Sequence, residues 1–180
     1  MAKTKLSKAA YVTRGYGQVE PNHLSARRTG QIYAQLPVNK DIEVLENGQF
    51  AKYDYVKGEV NFTGKGEWML VFNEVKVYDA REQDQDFAMI RDNYDARVYN
   101  AVGAEMPEGT KMVPRLFKTN VGDIFTTNCI NEEELAVGDE LSPAADGYLA
   151  KGGDGSIVFA VVKVYTMPDG QKGVKIQRIA

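Results

Sequence analysis

Apolar and polar positions alternate in short runs along most of the chain, and glycine, asparagine, aspartate or proline closes a run about every eight to twelve residues. Val75 and Val77 flank Lys76, and Val162 and Val164 flank Lys163, the period of two expected of a half-buried strand. Asn47-Gly48 and Asp146-Gly147 predict two-residue hairpin turns, in which both central residues need positive φ. Each is followed by a short strand-forming run, Gln49–Tyr53 in one case and Tyr148–Lys151 in the other. Between Asp54 and Glu67 the glycines Gly58, Gly64 and Gly66 predict a long hairpin. Gly152-Gly153-Asp154-Gly155 predicts a tight turn, and Pro168-Asp169-Gly170 precedes a terminal strand over Gly173–Ile179. One stretch departs from this rhythm. Over Gln83–Tyr99, Phe87, Ile90, Tyr94 and Val98 fall at a spacing that predicts a short helix. The fold class expected is mainly all-β, built as small barrels or sandwiches.

The pattern also repeats. Leu36–Lys52 aligns without gaps onto Leu135–Lys151, pairing Leu36, Val38, Gly48, Ala51 and Lys52 with Leu135, Val137, Gly147, Ala150 and Lys151. Val71–Tyr78 matches Val158–Tyr165 at six of eight positions, and Gly30–Tyr33 resembles Gly122–Phe125. Three blocks in the same order predict a tandem duplication of one β module. The expected organisation is a basic extended arm over 1–20, a first β domain over 21–79, an acidic linker over 80–113 holding the helix, and a second β domain over 114–180. The Met106-Pro107-Glu108-Gly109 break lies just before the second copy. Units this small approach the lower limit of independent stability, so they are expected to pack on each other or on a partner.

Composition narrows the chemistry. The chain has 180 residues and a net charge of -3, which argues against nucleic acid as the main partner. It has no apolar run of membrane-spanning length and no secretory leader pattern, so synthesis in a cytoplasm is expected. Cys129 and His23 are each the single residue of their type, which excludes an internal disulfide and any two-histidine metal site. Cys129 sits in a strand-like run and reads as a buried structural thiol; His23 sits in a loop-like segment and reads as a surface residue. Gly58–Lys65 has the glycine spacing of a phosphate loop wrong by one residue, with Gly66 where serine or threonine belongs. Nothing in the sequence points to a cofactor or a metal, and a non-enzymatic protein is expected.

The run Val137-Gly138-Asp139-Glu140-Leu141 through Asp146-Gly147-Tyr148-Leu149, followed by Val158–Tyr165 and Val174–Ile179, resembles the small β-barrel capsid decoration, or cement, proteins of tailed bacteriophages. Gly15–Ser25 and Arg28–Tyr33 also look like segments of phage virion structural proteins. The resemblance implies a protein of the virion, made in the host cytoplasm, that binds the outer surface of the assembled head. It would reinforce the head by bridging subunits of the major capsid protein, through contacts individually modest and collectively strong.

For such a role Arg14, Arg27 and Arg28 are the candidate polar anchors and Tyr11 and Tyr16 the candidate apolar ones. Read from its residues alone, the basic segment over 1–20 is either a frayed, solvated terminus, an arm that orders on a partner surface, or a nucleic-acid arm. The resemblance implies the second, ordering on the shell or pairing with a neighbouring strand, and self-association fits the same picture. Alternative readings are a neck, tail or baseplate component, and a cellular β-barrel module with an apolar ligand pocket. A hydrolase using Cys129 and His23 would need the two side chains within hydrogen-bond reach.

Overall fold

Burial sorts the chain by alternation, and the clearest case is a run that breaks the alternation. Trp68-Met69-Leu70-Val71 is buried at all four positions, so both faces of its sheet must be covered. The computed structural model describes residues 9–13, 17–25, 31–42, 44–72, 88–90 (backbone only), 113–168 and 170–180. Every regular element among them is a strand. In chain order these are β1 (Val19–His23), β2 (Ile32–Tyr33), β3 (Val44–Glu46), β4 (Phe50–Asp54), β5 (Glu59–Asn61), β6 (Trp68–Val71), β7 (Ala88–Ile90), β8 (Leu116–Phe117), β9 (Ile124–Thr127), β10 (Glu140–Pro143), β11 (Leu149–Ala150), β12 (Phe159–Thr166) and β13 (Lys172–Arg178).

They form a six-stranded sheet in the order β1-β9-β13-β12-β10-β11, a five-stranded sheet β2-β8-β6-β4-β5, and the pair β3-β7. All strand pairings are antiparallel. Two edges are closed by isolated parallel bridges, Val38 against Val60 beside β5 and Ile130 against Leu149 beside β11. Such cover removes the free backbone groups that make sheet edges adhesive.

The five-stranded sheet is a shared wall. One of its faces carries Phe50, Trp68, Leu70 and Phe117, with Phe50 paired to Leu70 and Leu70 to Phe117. These side chains enter one core with Phe125, Leu141, Leu149, Phe159 and Ile176 of the six-stranded sheet. Phe50, Phe125 and Phe159 form a ring triangle with centroids 5.4–6.2 Å apart. Each fully buried phenylalanine contributes roughly 1.5–3 kcal/mol. The other face carries Ala51, Tyr53, Met69, Val71 and Leu116, which pack on Val38, Leu45 and Val60.

The sheets also draw strands from distant parts of the chain. β1 lies at the edge of the sheet otherwise made from Ile124–Arg178, and β8 lies between β2 and β6. The described arm residues are seated in the fold: Ala9, Tyr11 and Val12 are buried, and the Ala10 amide donates to the Ile130 carbonyl at 3.0 Å.

Several local expectations change. Most of the helix expected over 83–99 lies outside the described residues, but Ala88–Ile90 is a strand paired with β3; sheet hydrogen bonding there overrides the apolar spacing. The strand expected around Val75 and Val77 also lies outside the described residues. Asp146-Gly147 does not form a two-residue turn. The Gly147 amide donates to Ala144 and the Ala144 amide to Tyr148, a three-residue loop with glycine at its left-handed end (φ 80°). Asn47-Gly48 does make a turn, closed from Gln49 to Glu46, yet β3 beside it pairs with β7, whereas β10 pairs with β11 and β12. Segments aligned in sequence therefore take different strand partners.

Candidate functional site

The two turns aligned in sequence meet in space. The Phe50 amide donates to the Gly147 carbonyl at 2.7 Å, and Gln49 Nε2 donates to the Asp146 carbonyl at 2.7 Å. Glu46, 1% exposed, accepts from the Gly17 amide at 2.8 Å and from the Tyr148 hydroxyl at 2.5 Å. A buried carboxylate is tolerated when donors surround it, and here the donors come from the arm and from the second half of the chain. The junction is therefore a polar lock between segments.

Cys129 belongs to this lock. Its thiol is fully buried and donates to the Asn47 carbonyl at 3.2 Å. Burial, and next the nearby Glu46 carboxylate, push its pKa well above the ordinary thiol value. A thiol held protonated in this way is a poor nucleophile. His23 is exposed and pairs with Ile124, at the end of β9 remote from Cys129. The two side chains are not brought together.

A second link crosses the sheets at Trp68. Its indole N–H donates to Asp154, whose carboxylate also faces Lys52 Nζ at 3.5 Å and accepts from the Ser156 amide and hydroxyl. Lys52 Nζ lies 4.3 Å from the Trp68 ring centroid. Burial raises the Asp154 pKa, but the bonds from Trp68 and Ser156 outweigh it and the net shift is downward. A third link joins Glu67 to Lys118 at 2.9 Å and to Arg178 at 2.8 Å. Here too burial raises the Glu67 pKa and the two cations' hydrogen bonds bring it below its ordinary value.

Of the anchors expected from sequence, Arg14, Tyr16, Arg27 and Arg28 lie outside the described residues. Tyr11 is 5% exposed in the chain's own core. Its hydroxyl donates to the Glu133 carbonyl at 3.2 Å, and Lys172 Nζ sits 4.6 Å from its ring. No group of three or more metal-ligating side chains gathers among the described residues.

The surface offers one feature that the sequence reading passed over. At the β4–β5 hairpin, Tyr55 is 71% and Val56 97% exposed. An open depression of about 550 Å³ lies beside them, lined also by Tyr53, Lys57 and Lys65. The available signal was local. Turn tips favour glycine, asparagine, aspartate and serine, and a Tyr-Val pair at this one is an anomaly.

Comparison with known proteins adds no relative. No protein-family model, curated protein or solved structure matches the chain. Function has to be argued from the residues themselves.

Proposed function

We propose that the chain is a non-enzymatic structural protein of a tailed-phage virion, binding the outside of the assembled head and bridging subunits of its major capsid protein. The observation that carries this reading is the shared wall. The five-stranded sheet gives one face to each of two cores, and a close-packed wall shared in this way suits a protein that bridges neighbouring subunits. Support also comes from the segments that resemble decoration proteins: they form β10, β11, β12 and β13, which are contiguous in one sheet.

The test is a sedimentation assay. Purified protein is mixed with phage heads lacking their decoration protein, the heads are pelleted, and bound copies are counted by quantitative gel. Saturable binding at many copies per head is the expected result. A few copies per head would move the protein to the neck or tail. No binding would overturn the virion reading and favour a cellular binding module. Removal of residues 1–8 tests the basic arm without cutting into the seated segment at Ala9–Thr13, which a deletion of residues 1–20 would destroy.

A further inference from the structure

We propose that the protein pairs edge to edge with a second copy of itself through the outer half of β12, whether or not it sits on a phage head. One side of β12 pairs with β13 along its length. The other side is covered only as far as Val161, whose amide donates to the Asp139 carbonyl and whose carbonyl accepts the Gly138 amide, at 2.8 Å each. The ladder is irregular between Val161 and Lys163. Further on, the hairpin closes at Met167, whose amide donates to the Gln171 carbonyl at 2.7 Å. Counting back from that bond through the alternation of an antiparallel pair, Tyr165 and Lys163 turn their backbone groups towards β13, and Val164 and Thr166 turn theirs outward. Among the described residues nothing bonds these outward groups.

No bulky side chain shields this edge. The Tyr165 hydroxyl donates to Glu20 of β1 and meets Thr126 Oγ1 of β9 at 2.9 Å, so its ring lies across β13, where its cross-strand partner is Gly173. Lysine commonly guards an edge strand, but Lys163 is drawn back over the same ring, its Nζ 5.6 Å from the centroid. Val137 and Val162, beside the last covered residue, are 72% and 42% exposed. The edge therefore offers unpaired backbone groups with exposed valines next to them.

A second copy is the occupant because this edge is complementary to itself. Set antiparallel about a two-fold axis at Tyr165, Val164 of each copy faces Thr166 of the other, and both pairs exchange their two bonds. An axis at Val164 or at Thr166 leaves one complete pair in place of two. The ladder also stops by itself at both ends: Pro168 has no amide to donate, and Val162 sits in the irregularity. In this register Val162 faces Pro168 and Lys163 faces Met167 of the other copy, so the exposed valine gains apolar cover and no lysine opposes a lysine. An unrelated strand would satisfy the backbone alone, whereas the chain's own edge matches it in length, in apolar cover and in charge. So short an interface makes a weak dimer, with a dissociation constant of about micromolar or above.

Analytical ultracentrifugation of the purified chain between about 1 and 200 μM decides it, with three variants. Thr166→Pro removes one outward amide and touches no bond to β13. Tyr165→Cys puts a thiol on the axis, in a non-hydrogen-bonded pair close enough for a disulfide, and Lys163→Cys puts one away from it. Unchanged Trp68 fluorescence verifies the fold of each. The wild type should dimerise as concentration rises, and Thr166→Pro should weaken the dimer about tenfold or more. Mild oxidation should cross-link Tyr165→Cys and leave Lys163→Cys unlinked. A wild type that stays monomeric throughout would overturn the pairing, as would a dimer that ignores Thr166→Pro and gives no Tyr165→Cys link. A monomeric wild type whose binding to heads falls with Thr166→Pro would likewise overturn it and give the edge to a strand of another protein.

Discussion

Gly147 and Cys129 show how single residues hold the junction. Gly147 has φ 80°, and a Cβ there would lie 2.1 Å from the Phe50 carbonyl oxygen. Gly147→Ala should therefore cost about 2–4 kcal/mol, read as a lower denaturation midpoint with unchanged slope. The strain and the clash act together, because the same glycine accepts the Phe50 amide. Cys129 gives a second expectation. With its thiol buried and its pKa raised, native protein should resist a thiol reagent at neutral pH, and denaturant should release one reactive thiol per chain. Rapid modification of the native protein would contradict the buried placement. The thiol's burial was legible from its strand-like neighbours, but its partner was not, because Asn47 is remote in sequence and only the fold brings it near.

At the scale of elements, local pattern and pairing carried different amounts of information. Strands ending in clear turns were readable: Gln49–Tyr53 became β4, Gly173–Ile179 became β13, and the hairpin expected between Asp54 and Glu67 begins with the β4–β5 pair. Pairing was less accessible, since the insertion of β8 beside β6 depends on contacts between residues far apart in sequence. The exposed hairpin tip at 55–58 falls inside the span expected as one long hairpin and was missed both as a tight turn and as a surface, because its meaning lies in exposure rather than in pattern. The links between elements predict a pH response. Glu67 and Asp154 have lowered pKa values, so the stability they contribute is present above their unfolded values and lost as pH falls through the folded ones. Thermal stability should drop below about pH 4. Glu67→Gln should flatten part of that decline, with the discount proper to a partly exposed group.

For the whole molecule the shared wall sets the expectation. Trp68, the single tryptophan, lies in the core common to the two larger sheets, so its fluorescence reports on both at once. Unfolding followed by Trp68 fluorescence and by far-ultraviolet circular dichroism should give coincident transitions. Two separated transitions would mean that the sheets melt independently. The expected all-β class is what the described residues show. The β1 crossover had no signature in sequence, because an edge strand such as Val19–His23, with only partial burial, has too weak an apolar pattern to name its neighbour.

That crossover has a consequence for synthesis. β1 finds its place against Thr126 and Thr127 of β9, which leave the ribosome roughly a hundred residues after it, and loop closure of that span must come before its contacts reward it. Tyr11 and Val12, which end up buried, emerge earlier still. The nascent chain therefore carries these apolar residues without their final cover until β9 appears, and β1, the first of the described strands in chain order, is among the last that can be set.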